Sequence, residues 1–287
     1  MSRKNDCNLK KESMKTKIFK PVSYVLILSL GLMFAFNSCE KAPDAMELPP
    51  AESLVINLDA FPSSTTKALG PESAWNFAHA GLSVLFWNTA VVLNIAIPTV
   101  AYAAAFNHDP VYLGDNSWEW SYSVPVNGKT VVARLVGTRI DNETFSMEMT
   151  LSENGGFQDF KWFEGVIRYD HTAANWTLAH SPDNGVDYLD IAYTKDFETD
   201  VANIRYTVID PQNELYNDYI DYGINPEFDF DAHYTISRAD TTTMIEWNTT
   251  TDAGRVKDER RFGDTEWHCW DTQLQDVDCA SSQQSLE

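Results

Sequence analysis

Basic residues are scarce in this chain: 21 Lys and Arg stand against 42 Asp and Glu in 287 residues, a formal net charge of −21. The first 38 residues hold seven of the basic residues and two of the acidic ones. Residues 39–287 carry 14 against 40, or −26. A body so acidic repels phosphate backbones, because binding by counterion release needs clustered Lys and Arg, so nucleic acid is excluded as a partner. Motifs that carry chemistry are also missing. There is no Gly-x-Ser-x-Gly, no His-Glu-x-x-His, no phosphate-cradling glycine loop and no dinucleotide fingerprint. The six histidines (79, 108, 171, 180, 233 and 268) are scattered, and His79 reads as a hydrogen-bonded core histidine rather than a base. The chain is therefore not read as an enzyme. A carboxylate pair for glycoside hydrolysis can be drawn among so many acids, but only proximity in the fold gives such a pair meaning, and hydrolysis ranks third among the readings.

Cysteine is rare, with four copies. Cys7 lies in the N-terminal leader, and Cys269 and Cys279 are close enough in sequence to form a disulfide. Zinc is the alternative, with His268 as a third ligand, but a lone His and two Cys lack the paired spacing of zinc sites. Cys39 ends a basic segment (Lys15 to Lys20), an uncharged apolar run (Val22 to Phe36) and the tetrapeptide Phe36-Asn37-Ser38-Cys39. That order is the pattern of a secretory signal, too short for a spanning helix. Residues 1–38 read as the leader, with Met14 an alternative start, and residues 39–51 as a lipidated Cys39 and a Pro-bearing tether.

The tetrapeptide resembles a lipobox in which Ser38 conforms and Phe36 and Asn37 depart, as in the looser boxes of Bacteroidota-type envelope lipoproteins. Glu40, Lys41, Asp44 and Glu47 resemble the acidic export tag of surface-exposed lipoproteins. The resemblance implies attachment to the outer membrane through the lipid on Cys39, a location in the cell envelope and oxidising surroundings for the disulfide. No protein partner is legible.

Charge is absent altogether from Ser73 to Asn107. Apolar bulk fills this stretch on every side, so a helix here must be buried throughout or sit in a membrane. As one straight helix, residues 73–107 would measure about 50 Å, longer than a domain of this size can cover, so a break is expected. Asn88 and Thr89 offer one position for it, Pro98 offers another, and Ser73 offers the N-cap.

Elsewhere the apolar period is two. Glu52 to Phe61 alternates as a strand would. Trp118-Trp120-Tyr122-Val124, the runs at 131–136 and 144–151, and later runs at 176–178, 189–193, 204–208, 228–236 and 245–247 repeat the pattern between turn dipeptides such as Asn127-Gly128 and Asp210-Pro211. The expected fold is mainly β. Residues 52–287 would form one domain, an antiparallel up-and-down meander of about nine to eleven strands closing into a barrel or curving as a half-barrel, with its apolar face covered or plugged by the bent helix. This order of elements resembles the half-barrel of the LolA/LolB lipoprotein carriers, and less closely a lipocalin.

The function expected is noncatalytic: an envelope lipoprotein with an apolar small molecule held between sheet and helix. Phe86, Trp87, Phe145, Met147 and Met149 are the candidates for lining such a site, Met being adaptable, although all five could equally be core. The alternative is an extracellular glycan- or calcium-binding module. Asp218, Asp221, Asp229 and Asp231 supply hard oxygen ligands for calcium but lack EF-hand spacing, and no other cofactor is implied. Trp267 and Trp270 lie off the core pattern, where a sugar-stacking surface would use them.

Overall fold

The structure is a computed structural model that describes residues 43–62, 74–126 and 128–282. Residues 1–38, expected to be a leader, with Cys7, and also Cys39, Ser73 and Asn127, lie outside the described residues. Fourteen strands succeed one another in strict sequence order in a single sheet, every neighbour antiparallel: β1 Val111–Gly114, β2 Ser117–Val126, β3 Lys129–Arg139, β4 Thr144–Glu153, β5 Phe160–Arg168, β6 Ala173–Ser181 and β7 Asn184–Lys195, then β8 Ala202–Val208, β9 Tyr219–Ile224, β10 Ala232–Arg238, β11 Thr241–Trp247, β12 Gly254–Asp258, β13 His268–Trp270 and β14 Asp276–Val277. The strands β1 and β14 do not pair with each other, so the sheet is a curved half-barrel and not a closed barrel. Its concave face carries the alternate apolar positions read from the sequence, including Trp118, Leu135, Met149, Trp176, Ile191, Tyr206, Tyr234 and Trp247, all buried.

The strand count exceeds the expected one because β1, β13 and β14 are too short to show a period, and because β9 interleaves Asp221 with tyrosines that had read as an acidic stretch. A bulge opposite Met149 shifts the phase of β5, so Trp162 and Phe163 are consecutive and both buried. Glu52–Phe61 is not a strand. A 3-10 turn, Ala51–Ser53, leads into it, and the rest is irregular chain with a second turn at Leu58–Phe61, because Leu54 and Ile56 are buried against the concave face and not in a ladder.

One long helix, α1, runs over Trp75–Ala105. Asn88 and Thr89 do not interrupt it. Instead, the segments Trp75–Val91 and Ile95–Ala105 meet at 72°. Pro98 explains the place: it has no N–H for the carbonyl four residues earlier, and its ring crowds that carbonyl, so the bend falls in the preceding turn. Among the described residues no single helix is long and apolar enough to cross a membrane, though the two bent segments together pass on length and composition.

The helix lies across the concave face from one edge of the sheet to the other. At its start Ala74 has no capping side chain, and the first amides, Trp75 and Asn76, donate to the Asp276 carboxylate of β14 at 3.1 and 2.9 Å. The Asn76 side chain donates to the Cys269 carbonyl. At the far end the Tyr122 hydroxyl of β2 donates to the Ala101 carbonyl at 2.6 Å. Two short helices, α2 (Glu259–Phe262) and α3 (Cys279–Ser282), finish the fold, and a Cys269–Cys279 disulfide ties α3 to β13.

Both of these ties have a measurable worth. Asp276→Ala should cost about 1 kcal/mol, the usual contribution of a helix N-cap, read as a lower denaturation midpoint with unchanged slope. Cys279→Ser should cost about 2–3 kcal/mol by loop entropy, and reduction of the native protein should reproduce that loss.

Candidate functional site

The segment before α1 forms a strap over the concave face. Met46 sits on Gly137 of β3, where an added Cβ would come within 2.7 Å of the Met46 sulfur, so a larger residue there would have to displace the Met46 side chain. The Tyr102 hydroxyl of α1 then donates to the Pro49 carbonyl at 2.6 Å. Further along, the Ile56 amide donates to the Tyr206 hydroxyl of β8 at 3.0 Å, and that hydroxyl donates to the Leu54 carbonyl at 2.7 Å. Finally the Trp247 indole of β11 donates to the Ala60 carbonyl at 2.9 Å. The strap thus crosses from β3 to β11, while α1 crosses in the opposite sense from β14 to β2. Burial pushes the Tyr206 and Tyr102 hydroxyls far above the ordinary tyrosine range, and Tyr206 is a neutral two-way hydrogen-bonding pin.

This pin divides the trough over β7–β9. The inward row Ile191, Tyr206 and Ile220 carries the strap. One row away, Tyr193, Ile204 and Tyr222 form the floor of a cavity of about 440 Å³, completed by Ile224, Ala202 and Phe197 of the sheet side and by Val55 and Ala60 of the strap. Its wall is chiefly apolar. Polar groups are few and stand among it: Glu52, Asn57 and Asp59 from the strap, Lys195 and Asn203 from the sheet. Lys195 pairs with Asp200 at 3.1 Å. Burial, aided by the nearby charges of Asp231 and Asp59, pushes the Tyr222 phenol up to about 12, so it stays protonated at neutral pH. On the other side of the pin, a smaller cavity of about 140 Å³ lies between Trp87, Ala90 and Val91 of α1 and strands β7–β10.

Of the five lining candidates, Trp87 does line the smaller cavity, with the Arg238 guanidinium 5.5 Å from its ring centre. Phe86 is 65% exposed, on the side of α1 away from the sheet. Phe145, Met147 and Met149 are fully buried on β4 and border neither cavity. Sequence reasoning missed Tyr193, Ile204 and Tyr222. In sequence they alternate like any core strand residue, and it is the path of the strap over them that makes a cavity.

The convex face of β8–β12 holds a second arrangement. Asp221 accepts from Arg205 at 2.5 Å, Asn203 at 2.7 Å and His233 at 2.9 Å. Gly223 lies beneath the His233 ring, where an added Cβ would come within 2.4 Å of it. Beside them Phe228, Asp229, Phe230, His233, Glu246 and Arg255 surround a polar hollow of about 400 Å³. The Arg255 guanidinium sits 4.8 Å from the Phe230 ring centre and 4.3 Å from that of Trp267, and it bonds Glu246. Trp270, by contrast, is fully buried.

The four candidate calcium ligands do not converge. Asp218 bonds Arg238 and the Ala239 amide, Asp221 bonds Arg205, Asn203 and His233, Asp231 bonds Thr249, and Asp229 stands at the convex hollow. Among the described residues no group of three or more His, Cys, Asp or Glu is placed to hold a metal. His268 bonds Asp264, and both neighbouring thiols are in the disulfide. His79 bonds the buried Asp258, which also accepts from Thr243 and the Arg261 amide, an arrangement that ties α1 to β11, β12 and α2.

No family model, curated protein or solved structure matches this chain.

Burial raises the Asp221 carboxyl, but the hydrogen bonds from His233, Asn203 and Arg205 outweigh it and hold the group at about 2. A carboxyl whose folded value is depressed contributes stability above its unfolded value near 4, and that contribution disappears as pH falls toward 2. The denaturation midpoint should therefore drop between about pH 4 and pH 2, and the drop should be shallower in Asp221→Asn, which would be less stable than the parent at neutral pH because Arg205 and His233 lose their partner.

Proposed function

We propose that this protein is a noncatalytic, lipid-anchored lipoprotein of the cell envelope, held to the outer membrane through Cys39, that accommodates an apolar or amphipathic small molecule in the concave trough under its strap. The observation that carries this reading is the cavity of about 440 Å³ over Tyr193, Ile204 and Tyr222. Its size falls in the range of small-molecule sites, and a chiefly apolar wall with a few polar groups is the usual make-up of such sites. The polar residues around it include two acids and one lysine already paired with Asp200, which disfavours an anionic head group. A neutral amphiphile fits best, with its apolar body on the tyrosine and isoleucine floor and its polar end near Asn57 or Asn203.

A second reading, glycan recognition, is supported by the convex hollow, where Phe228 is 64% exposed and the Phe230 ring packs beside Arg255.

Native mass spectrometry of the full chain tests the main reading. Protein extracted from membranes in mild detergent should carry an extra mass at defined stoichiometry that organic extraction removes. A covalent mass that survives extraction and is lost in Cys39→Ser reports the anchor separately. Ala202→Trp, which projects a large side chain into the cavity, should abolish the removable mass while leaving the fold intact by circular dichroism. A clean apo mass in the parent protein would overturn the binding reading.

A further inference from the structure

The side of α1 turned away from the sheet is apolar. Leu82, Leu85, Phe86 and Thr89 fall on the i, i+3, i+4, i+7 spacing of a single helical face, and the first three are 67, 64 and 65% exposed. Trp75, seven residues before Leu82, is 56% exposed. Large apolar side chains grouped this way mark a contact surface and not incidental exposure. The ridge lies within the stretch from Ser73 to Asn107 that has no Asp, Glu, Lys or Arg, in a chain that carries −26 beyond its leader.

Two observations indicate what covers it. The first is the route of the chain into the fold. Met46 is buried on the concave face against Gly137, and Pro49 is bonded to Tyr102 in the Ile95–Ala105 segment of α1, so the polypeptide reaches the body on its concave side, the side that both segments of α1 cover. Pro43 is four residues beyond Cys39, a span of at most about 14 Å. If Cys39 carries the proposed anchor, on which this inference rests, so short a tether keeps the concave side of the body, where the chain enters, next to the bilayer. The second is charge. A second copy would bring together two bodies of large like charge, whereas an uncharged ridge can meet a bilayer of zwitterionic lipids with no charge to desolvate.

We propose that the Leu82–Leu85–Phe86 ridge of α1 lies on the surface of the membrane that holds the anchor, making α1 an interfacial helix as well as the cover of the sheet. The helix then has two apolar sides with two uses. Phe77, Val84 and Ala80 are buried in the core, and the ridge meets the acyl boundary.

The test uses the full chain with Cys7→Ser and a single added cysteine, Leu85→Cys, labelled with an environment-sensitive fluorophore. A second protein carries the label at Val132→Cys, exposed on the convex face. Each is reconstituted in phosphatidylcholine vesicles with or without brominated acyl chains. The label at 85 should be quenched at least about twofold more than the label at 132, as expected for a face seated at the acyl boundary. Adding Phe86→Glu should remove the difference without changing the melting temperature. Equal quenching at both positions would overturn the proposal. So would shielding of the label at 85 from aqueous iodide in vesicle-free, self-associated protein, which would give the ridge to a second copy. Intact mass separates failure of the anchor from failure of the ridge. If Cys39 proves unlipidated, the same two labelled proteins with Cys39→Ser are floated with these vesicles: preferential quenching at 85 in floated protein sustains the proposal, and protein that stays in solution ends it.

Discussion

An open sheet with one apolar face cannot stand in water uncovered, and this constraint organises the whole molecule. Fourteen strands line up in sequence order, and because β1 and β14 do not meet, curvature alone does not seal the interior. Two segments from the N-terminal third of the chain supply the cover. They cross the face in opposite senses, and polar side chains rising from the apolar surface hold each of them: Tyr206 and Trp247 under the strap, Tyr122 and Asp276 at the two ends of the helix. Hydroxyls and indoles suit this task because each combines a large buried apolar body with one hydrogen-bonding tip. The backbone groups of the strap, which has no ladder, obtain partners from the same residues that fill the core.

The candidate site is a consequence of that cover. Where the strap is pinned on Tyr206 it fits the sheet closely. One row away, over Tyr193, Ile204 and Tyr222, it does not, and a cavity remains. The convex face obeys other rules. There, rows of charged side chains pair across neighbouring strands, as in the Asp221 cluster and the Glu246–Arg255 pair, and the net acidity of the protein is displayed. The helix stands between these regimes, with one side in the core and an uncharged ridge on the other.

Much of the fold was legible in the sequence because a period of two is a local signal. The inward positions of β2, β4, β7 and β8 could be read directly, and so could the disulfide and the apolar helix with its break. The reading failed where local pattern is ambiguous. Glu52–Phe61 alternates like a strand because its apolar residues are buried on one side, yet it lacks a ladder partner. Asn88 and Thr89 look like a helix end, but proline is the stronger breaker, since it removes a hydrogen bond that no neighbour restores. Phe86 and Trp87 are adjacent and equally apolar, and their opposite fates depend on the rotation of α1 about its axis.

By itself, then, the sequence determined the class of fold, the covering role of an uncharged helix and the residues available for each face, because periodicity, charge and turn chemistry act over a few neighbours. Only the tertiary structure decided that the half-barrel stays open, that Asp276 caps a helix some 200 residues earlier, that the four aspartates disperse and that a cavity lies beneath the strap. Those features are set by where distant segments cross, and crossing is a property of packing that no local pattern encodes.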